Sequence, residues 1–201
     1  PVKDPVKISR LRLTNQSDRK RKLSVTAYVE WVLGSSRAAN APFIITELDA
    51  KTGAIFSRNP WNVEFAQAVA FADLAGQQTA WTADRSEFLG RNGAYDLPAA
   101  LAKGAALSGK CGAGFDPCAV LQQTIELRAG ASLDIVFFLG QGLNRAAAVD
   151  LLRRYRAADV DTLLSQVKKQ WDGIFQTVQV RTPDRAMNLL LNRWLLYQTL
   201  A

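Results

Sequence analysis

The sequence predicts a mainly β protein, an antiparallel β-sandwich followed by α-helices. Three observations carry this expectation. Apolar residues alternate with polar ones from Leu23 to Leu33, and again within Val120–Leu127 and Leu133–Leu139, the period of strands with one buried face. Polar or glycine-bearing turns separate short runs as far as Gly142, as in a sandwich. Beyond Gly140-Gln141-Gly142 the apolar spacing becomes helical, so strands precede helices instead of alternating with them.

The first run has apolar residues at Val6, Ile8, Leu11 and Leu13; its alternation breaks once, which predicts a strand with a bulge. Leu23, Val25, Ala27, Val29, Trp31 and Leu33 give the clearest strand, with Ser24, Thr26, Tyr28 and Glu30 between them. The basic run Arg19-Lys20-Arg21-Lys22 follows the turn signal Asn15-Gln16-Ser17-Asp18. It reads as a solvated tip joining the two runs into a β-hairpin. Phe43–Thr46 and Ala54–Ser57 form a second hairpin around Asp49–Gly53. Val63–Asp73 reads as a buried strand, with helix as the alternative because alanine is frequent. Thr79–Thr82 is a short strand, residues 96–114 a small-residue surface excursion, and Val120–Leu127 with Leu133–Leu139 a third hairpin around Arg128–Ala131. Asn144 caps a helix to Arg156, and Asp161 caps Leu163–Phe175 with Leu163, Leu164, Val167, Trp171 and Ile174 on one face. Val178 and Val180 form an extended link, and Pro183-Asp184 opens a last helix through Met187, Leu190, Leu191, Trp194, Leu195 and Tyr197. The expected domains are therefore 1–142, the sandwich, and 143–201, linker helices.

With 48% hydrophobic and 21% charged residues in 201, the chain is an ordinary globular one. It contains no histidine, which excludes a histidine general base, a histidine triad and a histidine metal site. The net charge of +7 raises nucleic-acid binding, but the basic residues are scattered and no nucleic-acid partner is expected. Cys111 and Cys118 alone do not make a zinc site and read as reduced, loop-borne thiols. No stretch is long and apolar enough to span a bilayer. The start without Met and the apolar end Trp194–Ala201 read as marks of a fragment of a longer polypeptide.

One stretch does not read as scaffold. Residues 82–93 pack Asp84, Arg85, Glu87, Arg91 and Asn92 into a segment closed by Gly90 and Gly93. A buried strand does not tolerate such charge, and a helix does not choose Gly90, Asn92 and Gly93 in succession. The expectation is a structured loop with donors for polyhydroxylated or anionic ligands. Phe88 and Leu89 read as anchors pinning it to the sandwich. Asp84 and Glu87 are paired carboxylates, but each sits beside an arginine that keeps it ionised, so neither suits a glycosidase acid. Trp61 and Trp81 are candidates for stacking on sugar faces, with core or edge packing the commoner fate of such residues.

Several stretches together resemble the non-catalytic amino-side region of the cellobiose phosphorylase and cyclic β-1,2-glucan synthase family, glycoside hydrolase family 94. They are Val29-Glu30-Trp31-Val32-Leu33-Gly34, Arg58-Asn59-Pro60 with Phe65-Ala66, Phe71-Ala72-Asp73, Asp84–Gly93, Asp116-Pro117-Cys118, Phe138–Gly142, and Thr182-Pro183-Asp184 with Asn192–Gln198. The wording of the last two is most similar to the cyclic glucan synthase branch. The resemblance implies a galactose-mutarotase-like supersandwich with linker helices, leading to a helical-barrel catalytic domain absent from this chain. It implies a parent that transfers glycosyl units on β-linked glucans with inorganic phosphate as co-substrate, no other cofactor, and a fragment inactive alone. A stand-alone carbohydrate-binding sandwich is the alternative. It further implies a β-glucan oligosaccharide, the barrel of the same polypeptide and a second copy in a homodimer as partners, and a cytoplasmic location without membrane contact by this segment. Arg91 and Asn92 would contact sugar, with a role in holding the loop as the alternative for Arg91; Arg85 and Glu87 join the substrate-binding set, although pairing within the protein is their commoner role.

Overall fold

The computed structural model describes residues 1–104 and 106–200. Ala105, in the expected excursion, and Ala201, at the end of the expected helices, lie outside the described residues. The chain divides into two compact units, Pro5–Ala157 and Pro1–Asp4 with Ala158–Ala201. The first unit takes in one helix beyond Gly142.

The first unit is an antiparallel sandwich. Its larger sheet has the order β1 (Val6–Thr14), β8 (Ser132–Gly142), β5 (Val69–Asp73), β4 (Ile55–Arg58) and β3 (Ile45–Leu48); the smaller has β2 (Arg21–Glu30), β7 (Pro117–Leu127) and β6 (Ala80–Asp84). The inner faces meet in a core that includes Trp31, Ile44, Ile55, Leu74, Leu121, Ile125 and Ile135. The β3–β4 hairpin forms as expected, Ile45 opposite Arg58 and Leu48 opposite Ile55.

The other two expected hairpins do not form. β1 pairs with β8 and β2 with β7, so the turns after Thr14 and Leu127 both cross from one sheet to the other. Period-two alternation reports which face of a strand is buried, not which strand lies beside it. Asn15 ties the two crossings together. Its buried side-chain amide donates to the carbonyls of Arg19 (2.7 Å), Leu127 (3.0 Å) and Arg128 (3.1 Å). The backbone adds Asn15 N to Ala131 O and Gly130 N to Asn15 O, each 2.9 Å. The bulge expected in β1 is also absent there, since its register against β8 runs unbroken. The irregularity lies in β6, between Thr82 and Asp84.

The Val63–Asp73 segment is strand only from Val69, where all five residues are buried; Val63–Phe65 is a short 3-10 turn. After β8 comes α4 (Arg145–Arg156), its Asn144 cap accepting from the Ala147 N–H at 2.9 Å as expected. Ala148, Leu151, Leu152 and Tyr155 face inward. Gly142 permits the close approach: a Cβ there would sit 2.4 Å from the Ala148 nitrogen. α4 thus belongs to the sandwich.

In the second unit α5 (Val160–Phe175) is capped by Asp159, not Asp161. Asp159 is the extended residue whose carboxylate accepts from Thr162 N–H at 2.9 Å, while Asp161 lies inside the first turn. The sequence pattern started the helix at its first apolar pair and so placed the cap late. Asp184 caps α6 (Arg185–Leu189), which widens into a π-helical turn at Leu190–Trp194 and continues as α7 (Leu195–Leu200). Asn188 and Asn192, one turn apart, stitch the extended link to this helix through Thr182 and the backbone of Val180.

Candidate functional site

The turns after Thr14 and Leu127 both lie at one end of the sandwich. At the opposite end the larger sheet brings together Val6 and Gly140, Val69 and Gly142, Ser57 and Ala70, and Ile45 and Arg58. The smaller sheet adds Glu30 opposite Cys118 and Asp84 opposite Pro117. Here the polar groups collect.

The stretch expected to be a loop is more ordered than its composition suggested. β6 runs on to Asp84, and Arg85–Leu89 form the short helix α2. The Asp84 carboxylate caps it, accepting from Ser86 N–H at 3.0 Å. Burial of Phe88 and Leu89 with Ala100, Cys118 and Val120 supplies the driving force that the residue propensities lack, and makes them the expected anchors. Gly90 ends the helix with a φ of 88°, a conformation that side-chain-bearing residues rarely adopt.

The four predicted site residues separate into two pairs. Arg91 and Asn92 follow Gly90 in a turn, both exposed, and neither side chain enters a hydrogen bond or ion pair with another described residue. Glu87 and Arg85 are engaged within the protein. Glu87 accepts from the Thr82 hydroxyl at 2.6 Å, the Ser108 N–H at 2.7 Å and the Ser108 hydroxyl at 2.9 Å. Burial alone would raise its pKa, but these bonds and the Lys110 charge outweigh it and hold the carboxyl below the usual range. Arg85 donates to Glu30 at 2.8 Å and lies 3.6 Å from Asp116.

Glu30 is the centre of a charged cluster that sequence reasoning missed. It accepts from Tyr28 (2.6 Å), Arg85 (2.8 Å) and Tyr95 (3.0 Å), and Arg37 lies 3.1 Å away while also pairing with Asp116. Burial opposes ionisation of Glu30, yet the hydrogen bonds from Tyr28, Arg85 and Tyr95 and the Arg37 charge lower its pKa on balance. The bond to Glu30 also raises the Arg85 pKa. Tyr28 is pushed up, first by burial and then by Glu30. Its ring packs 5.2 Å from Phe88 and 6.2 Å from Tyr95. The Arg85 and Glu30 positions are 55 residues apart, so no local motif announces the cluster. The only cue is a carboxylate directly before Trp31 in the strongest strand pattern.

The helix that carries Arg37, α1 (Arg37–Asn40), leads to a second feature at this end. Asn59 is buried and donates to Leu33 O at 2.9 Å and Asn40 Oδ1 at 3.1 Å. Beside it lies a cavity of ≈ 370 Å³ whose polar lining includes Ser35, Asn62 and Gln141. Trp61 is 69% exposed, whereas Trp81 packs against the core, so the two indoles do not share a platform. Cys118 is buried on β7 rather than loop-borne, and both cysteines are free thiols. Among the described residues no cluster of His, Cys, Asp and Glu could hold a metal ion.

The profile of the glycosyl hydrolase 94 supersandwich domain matches residues 1–158. The chain belongs to that family. Its match takes in the whole of the sandwich unit, α4 included. Over 196 residues this supersandwich chain is 38% identical to the cyclic beta-(1,2)-glucan synthase NdvB of Rhizobium meliloti (strain 1021), covering 98% of the chain and 7% of that protein. It is 26% identical to solabiose phosphorylase of Paenibacillus borealis, over 99% of the chain and 26% of the relative. It is 23% identical to N,N'-diacetylchitobiose phosphorylase of Vibrio furnissii, over 98% of the chain and 25% of the relative. The supersandwich chain thus spans between 7% and 26% of the length of these proteins. No described helix is long and apolar enough to cross a membrane.

Proposed function

We propose that this chain is the supersandwich and linker portion of a carbohydrate-active enzyme of the glycoside phosphorylase or cyclic β-(1,2)-glucan synthase kind. The parent transfers glycosyl units on β-linked glucans, with inorganic phosphate as co-substrate where it acts as a phosphorylase. The chain itself turns nothing over. It buttresses a helical catalytic barrel of the same polypeptide, contributes to a homodimer in the cytoplasm, and lends the Arg91-Asn92 turn to the sugar site.

One observation carries this reading: a fixed stem ending in a free tip. Asp84, Glu87, Phe88 and Leu89 hold the stem by a cap, a carboxylate clasp and two buried side chains. The side chains of Arg91 and Asn92 at the tip make no hydrogen bond or ion pair with another described residue. A tip ordered before binding forfeits less entropy when it meets ligand. Arg85 and Glu87 then act as positioning residues rather than sugar contacts.

The test is Arg91→Ala in the full-length parent, with acceptor and phosphate kinetics measured separately. Loss of a charge-assisted bond of about 1.5–3 kcal/mol lowers kcat/KM for the saccharide roughly 10- to 150-fold. Unchanged saccharide kinetics would remove the turn from the sugar site.

A further inference from the structure

We infer that the Trp61 face of the sandwich is a second saccharide-binding site, separate from the Arg91 turn, and that it takes a neutral oligosaccharide. Trp61 stacks on Phe43 with ring centroids 4.8 Å apart and planes within 10°. Phe43 is 37% exposed and Trp61 69%. A flat aromatic pair is thus held open to water, an arrangement that sacrifices apolar burial and suits a ligand with a flat apolar face.

The platform is rigid. Trp61 N–H donates to Asn59 Oδ1 at 3.1 Å, Pro60 restricts the turn, and Asn59 is itself locked to Leu33 and Asn40. Phe43 ends the 3-10 turn Ala41–Phe43, whose Ala41 O accepts from Ile44 N–H.

The adjoining cavity supplies the polar half of the site. Asn59 and Asn62, on either side of Pro60-Trp61, both line it. Its volume of ≈ 370 Å³ falls in the range of ligand pockets, about 300–1,000 Å³. The side chains of Ser35, Asn62 and Gln141 make no hydrogen bond with another described residue. They offer one hydroxyl and two amides as donors and acceptors. Among the described residues that line the cavity none is charged. Hydroxyls and ring CH faces match this lining, whereas a phosphate or carboxylate would meet no countercharge in it. The Arg91 turn, by contrast, leads with a cation. The two sites differ in chemistry, and neither depends on the other.

The test is titration of the chain with short neutral β-(1,2)- and β-(1,4)-linked gluco-oligosaccharides, read by the Trp61 indole N–H resonance and by calorimetry. In chains that keep Trp61 a saturable shift is expected, weakened severalfold in Asn62→Ala and Gln141→Ala; in Trp61→Ala, which lacks the resonance, the affinity read by calorimetry falls at least tenfold. Because Trp61 is exposed, its replacement should leave the thermal midpoint in place. Asn62→Ala keeps the test decisive if it does not. No saturable shift with either oligosaccharide overturns the site, as does full binding by Trp61→Ala in calorimetry. Failure of the Arg91 test in the parent leaves this site standing, and failure here leaves the Arg91 turn standing.

Discussion

The Glu87 carboxylate holds Ser108 by both its backbone N–H, at 2.7 Å, and its hydroxyl, at 2.9 Å. A residue of the small-residue excursion is thereby fastened to the helix from which the Arg91 turn projects. Because the clasp lowers the Glu87 pKa, its stabilisation is complete above the ordinary glutamate value of about 4.3 and disappears as pH falls through the lower folded value. Glu87→Gln is expected to cost about 1–3 kcal/mol at pH 7. The gap from the native chain should close on acidification, as read from urea midpoints across pH. A gap that stays constant in acid would show that Glu87 does not act as a carboxylate.

Arg156 meets the fully buried carboxylate of Asp73 through Nε at 2.8 Å and a terminal nitrogen at 2.7 Å, and also donates to Thr52 O at 2.6 Å. Arg156→Ala leaves a buried charge unpaired, an expected loss of about 3–5 kcal/mol. Adding Asp73→Asn to that variant should recover part of the loss, because the uncompensated charge is gone. Urea unfolding of the single and double variants checks both. An Arg156→Ala chain as stable as the native one would show that α4 is not fixed through this pair.

Cys118 is 0% exposed, and burial followed by the charges of Asp84, Asp116 and Glu30 pushes its thiol pKa up. Thiolate, the reactive form, is therefore scarce there. Iodoacetamide at pH 8 should label half-buried Cys111 in the native chain and reach Cys118 only after unfolding. Peptide mass spectrometry over time distinguishes the sites. Rapid native labelling of Cys118 would contradict its burial behind Phe88 and Leu89.

Local rules account for the elements that were legible in the sequence. Alternation placed β2, β7 and β8, Asn144 and Asp184 marked helix starts, and the turn around Asp49–Gly53 marked the one of the three expected hairpins that forms. Where tertiary burial overrode local preference, the reading failed. α2 forms despite its glycine-rich flank because Phe88 and Leu89 are covered. The candidate site was legible only in its polar residues. Arg91 and Asn92 stood out as polar residues between glycines, whereas the Glu30 cluster needs residues far apart in the chain brought together along the smaller sheet.

The sequence by itself determined that the strands precede the long helices, that no histidine chemistry is available, and that Arg91 and Asn92 sit in a turn bounded by Gly90 and Gly93. Only the tertiary structure decided the strand partners. β1 and β2 follow one another in the chain but lie in opposite sheets, as do β7 and β8. The physical reason is that a buried face can be satisfied by any facing sheet of matching shape, so periodicity fixes burial and leaves pairing open. Pairing is settled by the long-range bonds of Asn15 and by closure of the shared core.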